Sequence, residues 1–244
     1  MDEERAQAAP ADYDTNPERF RVGSECPRKY GKGDVHESVA ERIVREGLQP
    51  VLDVGCGEGR LCRLLQDQGI QVVGLDNSAT MLSAVPGSRV LGDASSLPFR
   101  TGWFGAVAAL YVLYHLSEPE KALSESCRVL RAGGLFVAAA PSRHNDPELA
   151  EVMPTRPSTF DAEDAPDLVA RFFANVEVEA WDAPMIHLPD VEAVAEYLFG
   201  RGMDAGECQE AARRLGAPLT VTKRGCLVWG YKSGQQPHFQ PPQA

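Results

Sequence analysis

The sequence predicts an α/β fold, a doubly wound and mainly parallel seven-stranded sheet with an antiparallel edge hairpin. Two patterns support this prediction. Short apolar runs alternate five times with segments of helical period between residues 51 and 140, and two further strand patterns follow in the last third of the chain. Repeated alternation of strand and helix requires right-handed crossovers, which place helices on both faces of a parallel sheet.

The first regular element with clear boundaries is a helix that begins after Asp34 and ends at Gly47. Asp34 is a typical N-cap, Glu37 follows three residues later, and Val39 and Ile43 lie on one apolar face. The segment before this helix contains aromatic and basic residues, in contrast to the acidic chain as a whole.

Five apolar runs are predicted to form the buried parallel strands. They are Val51–Val54, Gln71–Leu75, Arg89–Leu91, Ala106–Leu113 and Leu135–Ala140. Between the last two runs, residues 119–131 show the clearest helical period, because Pro119 suits a first helical turn and apolar residues recur on one face. Gly133 and Gly134 are predicted to end this helix.

The pattern of predicted helices and strands changes in the last third of the chain. A helix is predicted over 165–174, a strand over Asn175–Trp181, a helix that starts after Asp190 and a final strand over Leu219–Trp229. The two strands are expected to form an antiparallel hairpin at one edge of the sheet. Residues 1–12 and 233–244 are predicted to be mobile tails, which leaves 13–232 as one domain.

Composition and charge exclude several classes of protein. Hydrophobic residues make up 43% and charged residues 24% of the 244 residues, as in ordinary folded proteins. The net charge of −11 disfavours nucleic acid and anionic membranes as partners. We expect a cytoplasmic protein, because the N-terminus lacks the pattern of a secretory signal and the longest apolar run, Trp103–Tyr114, is too short to span a membrane. Six scattered cysteines without a CxxC pair indicate free thiols and no metal site.

The most informative motif is the strand Val51–Val54 followed by glycines 55, 57 and 59. Glycines allow a turn to pass beneath a ligand without side chains in the way. Asp76 ends the next strand, about 20 residues past the glycines, where a carboxylate accepts hydrogen bonds from ribose hydroxyls. A dinucleotide fingerprint needs G-x-G-x-x-G, but Arg60 stands at its third glycine, so nicotinamide or flavin binding is the weaker interpretation.

Five motifs in register resemble those of class I S-adenosylmethionine-dependent methyltransferases, which have a Rossmann-like fold. The motifs are Asp53-Val54-Gly55-Cys56-Gly57-Glu58-Gly59, Val73-Gly74-Leu75-Asp76-Asn77-Ser78, Gly92-Asp93-Ala94 with Leu97-Pro98-Phe99, Leu113-Tyr114-His115-Leu116, and Arg128-Val129-Leu130-Arg131-Ala132-Gly133-Gly134. The resemblance covers residues 50–142 and is closest to the small-molecule subgroup that includes the ubiquinone and menaquinone methyltransferases.

This resemblance implies S-adenosyl-L-methionine as the cofactor and S-adenosyl-L-homocysteine as its product. It implies cofactor contacts at nine positions: Asp53 orienting the glycine turn and the amino acid end, Gly55 and Gly57 beneath the cofactor, Asp76 on the ribose, Asn77 and Met81 near the adenine, Asp93 and Ala94 on its exocyclic amine side, and Leu110 offering a backbone carbonyl to the ammonium. For Asp93 an alternative stays open, because such a residue often holds only its own turn.

His115, Tyr114 and His36 are the candidate catalytic residues, in that order. Each has a structural alternative: His115 bonded to a backbone carbonyl, Tyr114 packed in the core, and His36 exposed on the first helical turn. In the resembling family the region before the first core helix covers the active site, so within residues 13–47 the segment 13–33 is predicted to be a lid. A plain surface arm is the alternative. Residues 143–232 are expected to complete the sheet and the substrate side.

The sequence therefore predicts transfer of a methyl group from S-adenosylmethionine to a nitrogen, oxygen or carbon nucleophile of a small-molecule acceptor. The protein must chiefly align the reacting atoms and exclude water, and no metal is implied. Two alternatives remain: a nicotinamide-dependent oxidoreductase, or a protein that binds S-adenosylmethionine without turnover. The sequence does not indicate the oligomeric state.

Overall fold

The computed structural model describes residues 14–154 and 158–234. The tail predicted over 1–12 lies outside the described residues, as does nearly all of the tail predicted over 233–244. Among the described residues, no helix is both long and apolar enough to cross a membrane.

One seven-stranded sheet forms the centre of the structure. Its strands are β1 (Val51–Val54), β2 (Val72–Asp76), β3 (Ser88–Leu91), β4 (Phe104–Leu110), β5 (Leu130–Pro141), β6 (Ala174–Leu188) and β7 (Leu219–Tyr231). The strand order is β3-β2-β1-β4-β5-β7-β6. The first five strands pair in parallel, and β7 pairs antiparallel with both β5 and β6. The predicted fold class, including the antiparallel edge hairpin, is confirmed.

Eight α-helices connect and flank the strands in the described part of the chain. They are α1 (Pro17–Tyr30), α2 (Val35–Arg45), α3 (Arg60–Asp67), α4 (Ala79–Leu82), α5 (Pro119–Val129), α6 (Ala165–Ala170), α7 (Val191–Gly200) and α8 (Ala205–Leu215). The predicted caps occur where expected: the side chain of Asp34 accepts a hydrogen bond from the backbone of His36, and that of Asp190 from the backbone of Ala193.

The central strands are buried on both faces because helices cover both sides. Every residue of β1 and β4 is buried. Successive residues alternate between two cores: Leu52 and Val54 contribute to one, and Val51 contributes to the other. This double coverage explains why the parallel strands are continuous apolar runs in the sequence.

A third core lies beyond the sheet. It is formed by α1, α7, α8 and the adjoining ends of β6 and β7, with Cys26, Leu198, Ala212 and Val221 among its buried residues. We call this part of the molecule the cap lobe. It stands above the edge of the sheet where the parallel strands end.

Two glycines expected to end α5 lie instead inside β5. The helix ends at Val129, and Leu130 is already extended. The strand pairs at once with the end of β7, since Gly133 donates its N–H to the carbonyl of Lys232 and Lys232 donates to Gly134, at 3.0 and 2.9 Å. The prediction was wrong because long-range strand pairing outweighs the local tendency of glycine to end a helix.

Other boundaries also differ from the local pattern. Strand β4 ends at Leu110 instead of Leu113, because Tyr111 adopts a left-handed conformation with φ of 56° and a short 3-10 turn follows. Strand β6 is longer than predicted and extends to Leu188, because it pairs with β7 along its whole length. Helix α8 was not predicted.

Candidate active site

The glycine turn after β1 is held against the end of β2 by backbone hydrogen bonds. The N–H groups of Gly55 and Cys56 both donate to the carbonyl oxygen of Leu75, at 2.7 and 3.0 Å. Gly55 and Gly57 have φ of +67° and +52°, and Gly59 begins α3 with φ of +80°. These positive values favour glycine, since an L side chain rarely adopts them.

Asp76 ends β2 directly beside this turn. Its carboxylate accepts hydrogen bonds from the backbone N–H of Gly57 at 2.8 Å and of Ser78 at 2.9 Å. A carboxylate has about four acceptor sites, so two remain for a ligand. The side chain is largely buried but lines the cavity described below.

One cavity of about 1520 Å³ extends from the glycine turn to the cap lobe. A single small-molecule site typically occupies about 300 to 1,000 Å³, so this cavity has room for two ligands. Seven of the nine predicted cofactor residues or their backbones line it: Gly55, Gly57, Asp76, Asn77, Asp93, Ala94 and Leu110. The topology therefore brings these positions together at the carboxyl ends of the parallel strands.

Asp93 also serves its own backbone, as the alternative interpretation proposed. Its Oδ1 accepts a hydrogen bond from the N–H of Ser95 at 2.7 Å. The side chain is nevertheless exposed in the cavity wall. The structure is thus compatible with both roles, because one carboxylate oxygen suffices for the turn.

Two predicted cofactor residues, Met81 and Asp53, lie behind the cavity wall. Met81 is buried in α4, next to the Ser78 cap. Asp53 is buried in β1, with its Oδ2 3.4 Å from the sulfur of Cys62. Burial raises the pKa of Asp53 to about 6, although the nearby His36 opposes this shift.

The three catalytic candidates all line the cavity but have different surroundings. His115 ends the 3-10 turn after β4, and burial lowers its pKa to about 4. The ring of Tyr114 lies beside it, at 4.2 Å between centroids, and burial raises the pKa of Tyr114. His36 lies in α2, with its ring centroid 6.5 Å from that of Tyr111 and its Nδ1 3.3 Å from Oδ1 of Asp34.

Asp34 connects α2 to the helix that follows the glycine turn. Besides capping α2 it pairs with Arg60, the first residue of α3. Burial works against ionisation of Asp34, but hydrogen bonds to His36 and Arg60 hold its pKa well below the ordinary value. The residue that breaks the dinucleotide fingerprint, Arg60, therefore joins two helices at the cavity.

Helix α1 crosses the cavity above the glycine turn. The ring of Phe20 lies against Gly57, where a Cβ would come within 2.6 Å of it. Before the helix, the hydroxyl of Ser78 donates to Asp14 at 2.6 Å. At its other side α1 packs on α7, so closely that a Cβ on Gly23 would lie 2.8 Å from the carbonyl oxygen of Gly200.

Sequence reasoning did not select a charged cluster at the cap-lobe end of the cavity. Asp146 pairs there with Arg201 and Lys223, and Tyr197 donates a hydrogen bond to it. The one available signal was Lys223 and Arg224 in the middle of an otherwise apolar strand. Nothing local to Asp146 or Arg201 connects them to that strand.

Comparisons with known proteins agree with the motifs. Residues 52–138 match the sequence family described as methyltransferase domain. A demethylmenaquinone methyltransferase of Renibacterium salmoninarum is 41% identical over 96 residues, which cover 37% of this chain and 40% of the relative. The match thus spans about two fifths of that relative's length.

Solved structures share the fold at low sequence identity. The YcgJ protein of Bacillus subtilis superposes with a TM-score of 0.62 at 18% identity, over 82% of this chain and 100% of its own. The [4+2]-cyclase SpnF superposes with a TM-score of 0.62, also at 18% identity, over 91% and 95%. At this identity the similarity shows the fold alone.

The raised pKa of Asp53 leads to a testable pH dependence. The unfolded value is about 3.9, so the stabilisation from the protonated, buried carboxyl is complete below about pH 4 and is lost as the pH rises through about 6. We expect Asp53→Asn to gain stability relative to the wild type by about 2 kcal/mol between about pH 4.5 and pH 7.5. Urea unfolding of the ligand-free protein at both pH values measures this gain.

The matched control is Asp67→Asn, which removes an exposed carboxylate at the end of α3. Its difference from the wild type should be the same at both pH values. An equal difference for Asp53→Asn as well would contradict the assigned effect of burial.

Proposed function

We propose that this chain is a class I S-adenosylmethionine-dependent methyltransferase that methylates a nitrogen, oxygen or carbon of a small-molecule acceptor, since residues 52–138 match the methyltransferase domain family. One observation carries the proposal. The glycine turn and the carboxylate of Asp76 are joined by a hydrogen bond and open into a cavity large enough for two ligands. We treat residues 13–232 as the single domain that performs this reaction.

The residues of the cavity wall suit the cofactor. Asp76 has acceptor sites left for two ribose hydroxyls, and the backbone of Gly55 and Gly57 lines the cavity between the side chains of Val112 and Phe20. In the proposal, Asn77, Asp93 and Ala94 hold the adenine, and Leu110 offers its carbonyl to the ammonium. Met81 and Asp53 support this wall from behind, because both are buried.

When bound, S-adenosylmethionine supplies a methyl group that its sulfonium already activates. The protein's task is to align the acceptor with that methyl and to keep water out. The cavity beyond Leu110, bounded by Tyr111 and Tyr114, provides the place for the acceptor. Helix α1 provides the cover.

If the acceptor must lose a proton, the geometry favours His36 over His115, which the sequence put first. The carboxylate of Asp34 beside Nδ1 orients the ring of His36 and favours the tautomer whose Nε2 accepts a proton. His115 is neutral at pH 7, but a pKa of about 4 makes it a weak base. The raised pKa of Tyr114 keeps its hydroxyl protonated, which suits it to donate a hydrogen bond.

Two other predictions accompany this function. We propose a reducing, cytoplasmic setting, because all six cysteines are free thiols. We also propose that nucleic acid is not a partner, on the basis of the net charge of −11.

The cofactor assignment is tested at Asp76. Asp76→Asn keeps the size of the side chain but removes the charge, so its hydrogen bonds to two hydroxyls are weakened. We expect the Kd for S-adenosylhomocysteine, measured by calorimetry, to rise at least about tenfold. The control is again Asp67→Asn, which should bind as the wild type does.

Ligand binding by the wild-type protein also distinguishes the methyltransferase from the two alternative functions. Thermal stabilisation by NAD(H) or NADP(H) but not by S-adenosylhomocysteine would indicate an oxidoreductase and overturn the proposal. Binding of S-adenosylhomocysteine without methyl transfer from labelled S-adenosylmethionine to any member of a metabolite panel would indicate a protein that binds the cofactor without turnover.

The assignment of the base is tested with His36→Gln and His115→Gln. We expect His36→Gln to lower kcat about 100-fold with an acceptor that carries a proton of high pKa, while the Kd for S-adenosylhomocysteine stays unchanged. His115→Gln should have a much smaller effect. The reverse order of the two variants would return the role to His115.

The lid is tested through Phe20. In the wild type, amides of Pro17–Tyr30 should exchange more slowly once S-adenosylhomocysteine is added. Phe20→Ala removes the ring above Gly57 and should weaken S-adenosylhomocysteine binding several-fold, whereas the exposed Glu18→Gln on the same helix should not. Exchange that ignores the ligand, together with normal binding by Phe20→Ala, would make α1 a surface arm.

A further inference from the structure

The cap-lobe end of the cavity carries two cations around one buried carboxylate. Nε of Arg201 lies 2.8 Å from Oδ2 of Asp146, and Nζ of Lys223 lies 2.6 Å from its Oδ1. The hydroxyl of Tyr197 donates to the same Oδ1 at 3.1 Å. These residues come from the loop after β5, from α7 with its C-cap and from β7.

The cations face the cavity and the carboxylate lies behind them. The side chain of Asp146 is 4% exposed, whereas those of Lys223 and Arg201 are 20% and 42% exposed. All three line the cavity. A ligand in the cavity therefore meets the positive groups first.

Hydrogen-bond donors remain available on both cations. A guanidinium has five N–H groups and an ammonium has three. Among residues 14–154 and 158–234, Arg201 uses Nε on Asp146, and no partner is found for its Nη1 and Nη2. Lys223 donates to Asp146 and to the oxygen of Tyr197, which leaves one N–H.

The two cations at this site outnumber its one carboxylate. Asp146 stays ionised, and Tyr197 stays neutral because burial and Asp146 raise its pKa. Burial and the charge of Arg201 lower the pKa of Lys223 to about 8, despite the opposing charges of Asp146 and Glu148.

On the cavity side, nearby charged residues do not offset the excess positive charge of Arg201 and Lys223 over Asp146. Both carboxylate oxygens of Glu148 are held by Thr222, and Glu148 is not part of the cavity wall. Two other arginines of the wall have carboxylates of their own: Arg143 pairs with Asp161, and Arg224 pairs with Asp182. Within the described parts of the chain, the pair Arg201 and Lys223 shares a single carboxylate, that of Asp146.

The position of the pair suits an acceptor rather than the cofactor. Arg201 lines the same cavity as Tyr111 and Tyr114, which follow β4. Burial raises the pKa of both hydroxyls, and the charge of Arg201 acts to lower it. The glycine turn and Asp76 lie at the ends of β1 and β2, and the charged cluster lies on the other side of β4, towards β5 and β7. An acceptor held at the cluster thus reaches the middle of the cavity past these tyrosines.

We propose that Arg201 and Lys223 bind an anionic group of the methyl acceptor, a carboxylate or a phosphate monoester, and that Asp146 positions the two cations. This inference rests on the proposed function for the identity of the reaction, but the anion site itself does not depend on it. A guanidinium with two free nitrogens matches the paired oxygens of either anion.

The test measures binding of small probes to the full chain, with and without saturating S-adenosylhomocysteine. Benzoate and phenyl phosphate represent the two anions, and benzamide is the neutral counterpart of benzoate. We expect one or both anions to bind the wild type at least about tenfold more tightly than benzamide. The stronger of the two identifies the acceptor's anionic group as a carboxylate or a phosphate.

Variants locate the site. Arg201→Gln and Lys223→Met should each weaken the preferred anion about tenfold or more, and leave benzamide and S-adenosylhomocysteine unchanged. Arg201→Lys keeps the charge but loses the fork of donors, so it should fall between wild type and Arg201→Gln. The control is Arg213→Gln, an exposed arginine of α8 that lies outside the cavity wall.

Two outcomes would overturn the inference. They are the absence of any preference for the anions over benzamide in the wild type, and anion binding that Arg201→Gln and Arg201→Lys both leave intact. If Arg201→Gln does not fold by circular dichroism, the result for Arg201→Lys decides. Failure of S-adenosylhomocysteine to bind the wild type would overturn the proposed function alone. The binding of benzoate and phenyl phosphate measured without S-adenosylhomocysteine would still test the anion site.

Discussion

The structure depends on the attachment of the glycine turn to the end of β2. Three backbone N–H groups of the turn, those of Gly55, Cys56 and Gly57, donate to the carbonyl of Leu75 and the carboxylate of Asp76. The turn thus satisfies its polar groups at the end of β2, and it lines the cavity between the side chains of Val112 and Phe20. Gly74 in β2 completes the fit, because a Cβ there would lie 2.9 Å from the sulfur of Cys56.

The cap lobe turns this open edge into a cavity. Helix α1 reaches across the turn because it is held on one side by Asp14 at Ser78 and on the other by its close packing on α7. Backbone contact at Gly23 and Gly200 allows little adjustment, so α1 and α7 are expected to move together.

The electrostatics of the cavity differ from those of the molecule as a whole. The chain carries a net charge of −11, yet Arg60, Arg201 and Lys223 all face this one space. Asp34 and Asp146 anchor them, and both carboxyls have lowered pKa values because of these cations and of hydrogen bonds. Removal of either carboxylate would leave these partly buried cations without their counter-charge, which costs free energy. Pairing therefore fixes the donors in position before any ligand arrives.

Local pattern in the sequence determined the fold class, the strands whose ends carry candidate site residues, and the glycine turn beside Asp76. These features depend on the apolar period, the helix caps and the glycine spacing within short segments. Local pattern could not determine the boundaries at Gly133 and Leu188, where pairing between distant strands outweighs local preference, or the end of β4 before Tyr111, where the backbone turns left-handed. Nor could it join Asp146, Arg201 and Lys223, since the antiparallel return of β7 beside β5 brings these separate parts of the chain together. Such a site is decided by tertiary structure alone, because the free energy that places its charges comes from contacts between elements far apart in the chain.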